Sequence, residues 1–130
     1  MRALFVAALI TAAPTAPQEE VVPPPTLKLD ADTLRTKQAF EVRCGGCHSL
    51  GSGPRVGPDL AGVTIRRSDD WLGRWLKSPE SMLESDEHAK ALLQEYRTRM
   101  PNQNLSDAQV RGYIRYFHWF DARPAAERMP

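Results

Sequence analysis

The feature that constrains this chain most is a short stretch in which two thiols and an imidazole lie close together, Cys44-Gly45-Gly46-Cys47-His48. Two residues separate the thiols, and the imidazole follows the second thiol directly. The two separating residues are glycines, so no side chain obstructs a tight turn against a flat group. Because the sequence contains only these two cysteines, one local function has to account for both thiols.

This spacing is the attachment pattern of a c-type haem. Each thiol can add to one vinyl group of the porphyrin, and the adjacent imidazole then comes beneath the ring to bind iron. On this interpretation Cys44 and Cys47 carry one haem c per chain, and His48 is an axial ligand of its iron.

Three other interpretations use the same residues. A disulfide between Cys44 and Cys47 is possible in an oxidising compartment and stays open. A thioredoxin-type redox pair would follow a strand, whereas the residues before Cys44 have a helical pattern. A structural zinc site needs four protein ligands, and no second Cys/His pair at ligand spacing follows.

The sequence of 130 residues has room for one small domain behind an export signal. A basic start and an apolar run over residues 3–13 are typical of a secretory signal and too short to span a bilayer comfortably. We therefore predict a periplasmic or otherwise exported protein, which is tethered to the membrane only if this segment stays uncleaved. The predicted divisions are 1–17 (signal peptide or N-terminal anchor), 18–27 (Pro-rich linker), 28–122 (folded domain) and 123–130 (C-terminal tail).

The folded domain is predicted to be all-α, because helical spacing recurs and no alternating apolar stretch indicates a strand. Its glycine- and proline-rich residues 49–64 are predicted to form a loop. The predicted helices run from Asp30 or Asp32 to Arg43, from Asp69 to just before Pro79, from after Ser85 to a stretch that includes Tyr96, and from a capping box at Ser106 to Phe120.

The order of these features resembles the class I c-type cytochromes over residues 34–120. A helix with an aromatic residue comes first, then the Cys-x-x-Cys-His motif, then Gly57-Pro58-Asp59-Leu60, then middle helices. Met100-Pro101 and a final aromatic helix follow. The resemblance implies a small all-α cytochrome c fold, with helices packed around one covalently attached haem.

The resemblance also assigns roles to individual residues. It implies that His48 and Met100 are the two axial ligands of iron. Pro58 would accept a hydrogen bond from the far nitrogen of His48 and raise the basicity of the imidazole. Leu60 would pack on the haem face, and Arg66 would lie near a haem propionate.

Two further expectations concern aromatic side chains. The resemblance implies that Phe40 and Tyr116 meet where the first and last helices cross. The family commonly has glycine one turn before the first aromatic, and this chain has Thr36 there, so a wider crossing or a shifted register is expected. We also expect either Trp71 or Trp75 to donate a hydrogen bond to a propionate.

Other methionines and histidines compete with the proposed ligands. Met82 is predicted to fill the core, and Met129 lies near the chain end, so Met100 in its loop is the preferred sulfur ligand. His88 and His118 are predicted to lie at the surface. If Met100 is not the ligand, Met82 is the next candidate.

The resemblance implies a periplasmic electron carrier rather than an enzyme, serving a respiratory chain. Residues 66–79 with Met82 resemble cytochromes associated with copper enzymes or copper delivery, so a copper-containing terminal reductase or oxidase is an expected partner. Arg97 and Arg99 are expected to help orient an acidic redox partner.

A formal net charge of +1 gives no reason to expect nucleic-acid binding, and we expect a monomer. The rival is a covalent-haem enzyme or sensor with an open sixth position.

Overall fold

The computed structural model describes residues 29–128, and within this range every regular element is helical. The predicted signal peptide and the whole of the predicted linker, residues 1–27, lie outside the described residues. None of the described helices is long and apolar enough to cross a membrane. The elements are α1 (Ala31–Arg43), α2 (Val63–Arg66), α3 (Asp69–Lys77), α4 (Pro79–Ser85), α5 (Glu87–Tyr96), α6 (Asp107–Asp121) and a short 3-10 helix (Ala125–Glu127).

Four helices begin where their sequences predict, because a polar side chain caps each one. Asp30, Ser68, Asp86 and Ser106 each accept a hydrogen bond from the backbone N–H three residues later. At α6 the Gln109 side chain also accepts from the Ser106 N–H at 2.9 Å, which completes the predicted capping box. These caps fix the residues at which α1, α3, α5 and α6 begin.

Two short helices were not predicted. Pro79 was interpreted only as the end of α3, but it also begins α4, where a proline without an N–H is well suited to the first turn. The one-turn helix α2 begins inside the predicted 49–64 loop. The N–H groups at its start are capped by a residue that is distant in the sequence. The Asp121 carboxylate of α6 accepts hydrogen bonds from the N–H groups of Gly62 and Thr64.

Helices α1 and α6 cross at close range. The rings of Phe40 and Tyr116 lie 5.8 Å apart between centroids, which confirms the predicted contact. Opposite Thr36 stands Gly112 of α6, where an added Cβ would lie 3.2 Å from the Thr36 Oγ1 atom. Because the glycine is on the partner helix, the larger Thr36 does not force the helices apart.

Around this crossing the other helices build a shell with an apolar interior. Helices α2 and α3 pack against α6, while α3, α4 and α5 pack in succession. Phe40 of α1 and Phe117 of α6 are 4% and 3% exposed and meet edge to face at 6.0 Å. The shell leaves one side of these rings facing a deep cavity.

Candidate functional site

One apolar cavity lies between the Cys44–His48 turn, α3, α5, α6 and the segment before α6. All eight residues that the sequence singled out for haem or iron line it, although they come from four separate stretches of the chain. Its mouth is open to solvent, since Cys47 is exposed and Val56 is 49% exposed. The eight residues are Cys44, Cys47, His48, Pro58, Leu60, Arg66, Trp71 and Met100.

The Cys44–His48 turn continues directly from α1. The Cys44 N–H donates to the Phe40 carbonyl at 2.8 Å, and the His48 N–H donates to the Cys44 carbonyl at 2.8 Å. Gly45 is required by the helix itself, because a Cβ there would lie 2.7 Å from the Glu41 carbonyl oxygen. The turn therefore fixes both thiols and the imidazole relative to α1.

The His48 imidazole is oriented by the next loop. Its Nδ1 atom lies 2.9 Å from the carbonyl oxygen of Pro58. A carbonyl can only accept, so Nδ1 carries the proton and Nε2 is left with its lone pair for a metal. Gly57 presses against the same ring, since an added Cβ would lie 2.6 Å from the His48 Cε1 atom.

The structure separates the competing sulfur and nitrogen ligands. Between residues 29 and 128, Met100 is the only methionine and His48 the only histidine that line the cavity. Met82 is 4% exposed within the core, as predicted. His118 is at the surface, where its Nε2 lies 2.7 Å from an Asp69 carboxylate oxygen.

Arginine side chains lie at the cavity rim. Arg66, Arg67 and Arg99 line the cavity, and their charge is available to carboxylates at its edge. Arg66 is held by the carbonyl oxygens of Ala61 and Asp59, at 2.6 and 3.1 Å. These contacts fix a guanidinium where the sequence predicted a partner for a haem propionate.

The two tryptophans of α3 stack with centroids 5.5 Å apart, and both line the cavity. The indole N–H of Trp71 donates to the Asp86 carboxylate at 3.1 Å, so this donor is already engaged. The Ala89 N–H and then the Trp71 indole hold the pKa of Asp86 below its usual value. Among residues 29–128, the indole N–H of Trp75 donates to no protein acceptor, so of the two tryptophans Trp75 keeps the expectation of a propionate contact.

Sequence reasoning missed part of the cavity wall. It assigns no site role to Tyr113 and Phe117 of the final helix, whereas both side chains line the cavity. Burial raises the pKa of the Cys44 thiol, although a hydrogen bond with Tyr113 partly opposes this effect. A raised pKa disfavours the thiolate, which is the form that thiol–disulfide exchange and zinc binding need.

These residues fit a haem. Apolar and aromatic side chains surround the space, a correctly oriented imidazole enters it, and two thiols stand at one edge beside a cationic rim. Two such thiols and such a histidine define a c-type haem protein.

Comparison with known proteins identifies the family. The cytochrome c family matches residues 34–120, and the chain belongs to this family as a class I c-type cytochrome. It is therefore an all-α protein with covalently bound haem c, of a family whose role is electron transfer. The open disulfide interpretation, the thioredoxin-type pair and the zinc site are thereby set aside.

Solved structures agree with this assignment. Cytochrome c from Rhodothermus marinus is 32% identical with a TM-score of 0.65, and the match covers 70% of this chain and 78% of that one. The cytochrome c domain of a Pseudomonas putida protein is 42% identical, with a TM-score of 0.64 and coverage of 73% and 98%. An engineered Rhodothermus marinus cytochrome c bound to a carbene intermediate is 29% identical, with a TM-score of 0.65 and coverage of 74% and 83%. No curated protein matches the chain in sequence.

The loop that carries Pro58 is held by the carboxylate of Asp59. This carboxylate accepts from the backbone N–H groups of Gly51, Gly53 and Ala61 at 2.7–2.8 Å. Burial raises the pKa of Asp59, but these N–H groups together outweigh burial, and the net pKa lies below the usual 3.8.

We expect Asp59 to contribute to the acid limit of stability. A depressed pKa in the folded state stabilises the protein above the unfolded-state pKa, and this contribution is lost as the pH falls through the folded-state pKa. The free energy of unfolding of the holoprotein, measured in urea from pH 6 to pH 3, should therefore fall more steeply for the native chain than for Asp59→Asn. Equal slopes in the two proteins would contradict this role.

Proposed function

We propose that this protein is a periplasmic one-electron carrier of a respiratory chain, with its haem iron held between His48 and Met100. The observation that carries the proposal is the convergence of one imidazole and one thioether on a single apolar cavity next to two cysteines. Cys44 and Cys47 would form the thioether links to the haem. When bound, the haem iron supplies the chemistry by cycling between its ferrous and ferric states.

The protein's contribution on the histidine side is orientation and basicity. The Pro58 carbonyl accepts from His48 Nδ1 at 2.9 Å, which in the neutral imidazole places the proton on Nδ1 and leaves the Nε2 lone pair for iron. A hydrogen bond of this kind makes the imidazole a stronger ligand. Only glycine fits beside the ring at position 57, since an added Cβ would lie 2.6 Å from the His48 Cε1 atom.

On the methionine side, the protein contributes the soft, neutral thioether sulfur of Met100. Methionine paired with histidine is the usual combination in electron-transfer cytochromes, and it raises the reduction potential. Leu60 and the α3 side chains line the same space with apolar surface. An apolar site whose two ligands stay bound reorganises little when one electron is gained or lost.

A redox titration tests electron carriage directly. We expect the matured protein to give one reversible one-electron transition, with low-spin spectra in both oxidation states. A transition accompanied by a change of spin state, or a ferrous form that binds carbon monoxide readily, would contradict the proposal.

The rim charges support docking of an acidic redox partner. Arg99 lines the cavity, and Arg97 ends α5 two residues earlier; both are exposed. Arg66 and Arg67 extend the same positive rim. Charges of this kind steer association and mainly affect its rate. A copper-containing terminal reductase or oxidase is the partner class that we propose, with the cytochrome acting as a monomer.

Reversing the charge of both Arg97 and Arg99 to glutamate should slow reduction by an acidic donor without changing the visible spectrum. At low salt, the rate of electrostatically steered association can exceed the unsteered rate by roughly 10-fold or more. The decrease in the reduction rate should therefore be largest at low salt. Arg111→Glu with Arg115→Glu is the matched control, because both arginines are exposed on α6 and neither lines the cavity. Equal slowing in the two double variants would contradict docking at the rim.

The alternative function is a covalent-haem enzyme or sensor with an open sixth position. The observation that favours this candidate is the similar engineered Rhodothermus marinus cytochrome c, which is bound to a carbene intermediate. The alternative predicts that Met100 is unbound and that the ferric protein is high-spin and binds cyanide readily.

A further inference from the structure

The segment that carries Met100 has no backbone support of its own. Within residues 29–128, no backbone–backbone hydrogen bond involves a residue between 98 and 105. Arg97 has a left-handed backbone with φ of 53°, which residues other than glycine and asparagine adopt uncommonly, and Asn104 has φ of 51°, which asparagine tolerates. The position of Met100 therefore depends on contacts from other elements.

Lys77, at the C-terminal end of α3, makes the strongest of these contacts. Its ammonium donates to the Leu105 carbonyl at 3.2 Å and to the Asp107 carboxylate at 2.7 Å. It thus ties α3 to the end of the segment and to the first residue of α6. The ion pair also lowers the pKa of Asp107, first through the hydrogen bond and then through the charge of Lys77.

Lys77 also holds the segment nearer to Met100. The side-chain amide of Asn102 donates to the Lys77 carbonyl at 3.3 Å and to the Glu80 carboxylate at 3.3 Å. Asn102 stands two residues after Met100, and its own Oδ1 accepts from the Asn104 N–H at 2.8 Å. The backbone and the side chain of Lys77 therefore hold the part of the segment that follows Met100, at Asn102 and at Leu105.

On the opposite side the support is weaker. Arg43 reaches the Gln103 carbonyl only at 3.4 Å, which is long for a hydrogen bond. Burial of Leu105, which is 5% exposed, adds an apolar anchor beyond the ligand. Next to Lys77, by contrast, α3 forms the cavity wall with Leu72, Trp75 and Leu76.

We propose that Lys77 is the positioning residue for Met100, tying the ligand segment to the cavity wall and setting how often the thioether leaves the iron. This inference rests on the proposed ligation by Met100. An electron carrier needs its sixth position closed to small ligands. Lys77 supplies that closure from outside the cavity, without touching iron or haem.

The test compares Lys77→Met with Lys90→Met in the ferric holoprotein. Lys90 is the matched control, because its ion pair with Glu87 has the same 2.7 Å length and a similarly exposed lysine but lies within α5. Two quantities are measured: the rate of cyanide binding, and the urea concentration at which the sulfur-to-iron charge-transfer band disappears. Far-UV circular dichroism reports global unfolding in the same samples.

We expect Lys77→Met to bind cyanide roughly three- to tenfold faster, the range expected from losing a charged hydrogen bond and a surface ion pair. The charge-transfer band should vanish at lower urea while the circular-dichroism midpoint stays at the Lys90→Met value. Lys77→Arg should restore much of the native behaviour, and Asn102→Leu should resemble Lys77→Met.

Two failures can be told apart. If the native protein has the band and Lys77→Met responds like Lys90→Met, the role of Lys77 is wrong while ligation by Met100 stands. If the native protein lacks the band, ligation by Met100 fails. Hydrogen exchange of the amides of residues 98–105 then decides whether Lys77 holds the segment: unchanged exchange in Lys77→Met would overturn the proposal.

Discussion

Replacing Met100 with alanine should abolish the sulfur-to-iron charge-transfer band of the ferric protein and open the iron to cyanide and imidazole. The methyl group of alanine cannot reach a metal, and no second methionine between residues 29 and 128 lines the cavity to replace it. The reduction potential should also fall by on the order of 0.1 V, a fraction of the roughly 0.8 V range over which axial ligands set haem potentials.

The control for this experiment is Met82→Leu, which removes a buried thioether of similar volume from the core. Met82 is 4% exposed and does not line the cavity, so the band and the potential should not change. If the charge-transfer band survives in Met100→Ala and disappears in Met82→Leu, the assignment of Met100 as the iron ligand is contradicted. It would then be Met82 that reaches the iron.

Replacing Gly57 with alanine should have the second large effect. The new Cβ would lie 2.6 Å from Cε1 and 3.0 Å from Nδ1 of the His48 ring, so the ring or the loop must move. Overpacking of this kind costs about 1–3 kcal/mol, and here the movement also strains the bond to the Pro58 carbonyl. We expect a lower free energy of unfolding in urea and shifted NMR signals of the His48 ring in the holoprotein.

Gly73→Ala provides the matched control for that substitution. A Cβ at Gly73, within α3, would meet only the Ile114 Cδ1 atom at 4.0 Å, an ordinary contact. Alanine in a helix is favoured over glycine by roughly 0.5–1 kcal/mol, so this variant should be slightly more stable than the native chain. If Gly57→Ala proves as stable as Gly73→Ala, the close packing of Gly57 on His48 does not constrain the ring.

The sequence predicts the helices whose signals are local. The caps at Asp30, Ser68 and Ser106 lie within three residues of the N–H groups they bind, so the pattern alone locates α1, α3 and α6. Helix α2 has no such signal, because the carboxylate that caps it comes from Asp121, 57 or more residues away. Helix α4 was missed because Pro79 both ends one helix and begins the next.

In the site, too, some features could be predicted from the sequence and others could not. The Cys44–His48 motif and the Pro58 carbonyl could be predicted because these residues lie close together in the chain, in an order that resembles class I c-type cytochromes. The partner of the Trp71 indole could not, since Asp86 lies on another helix and no spacing connects the two. The close crossing at Thr36 was equally hidden, because it depends on Gly112 of α6.

The measurement that tests the central claim most directly is the visible spectrum of protein matured in a host with haem-attachment machinery. It is recorded on the native ferric form and again after denaturation in pyridine. We predict colour that stays with the denatured chain, and a native low-spin spectrum with the sulfur-to-iron charge-transfer band. A high-spin native spectrum without that band would contradict ligation by His48 and Met100 and favour the open-site alternative.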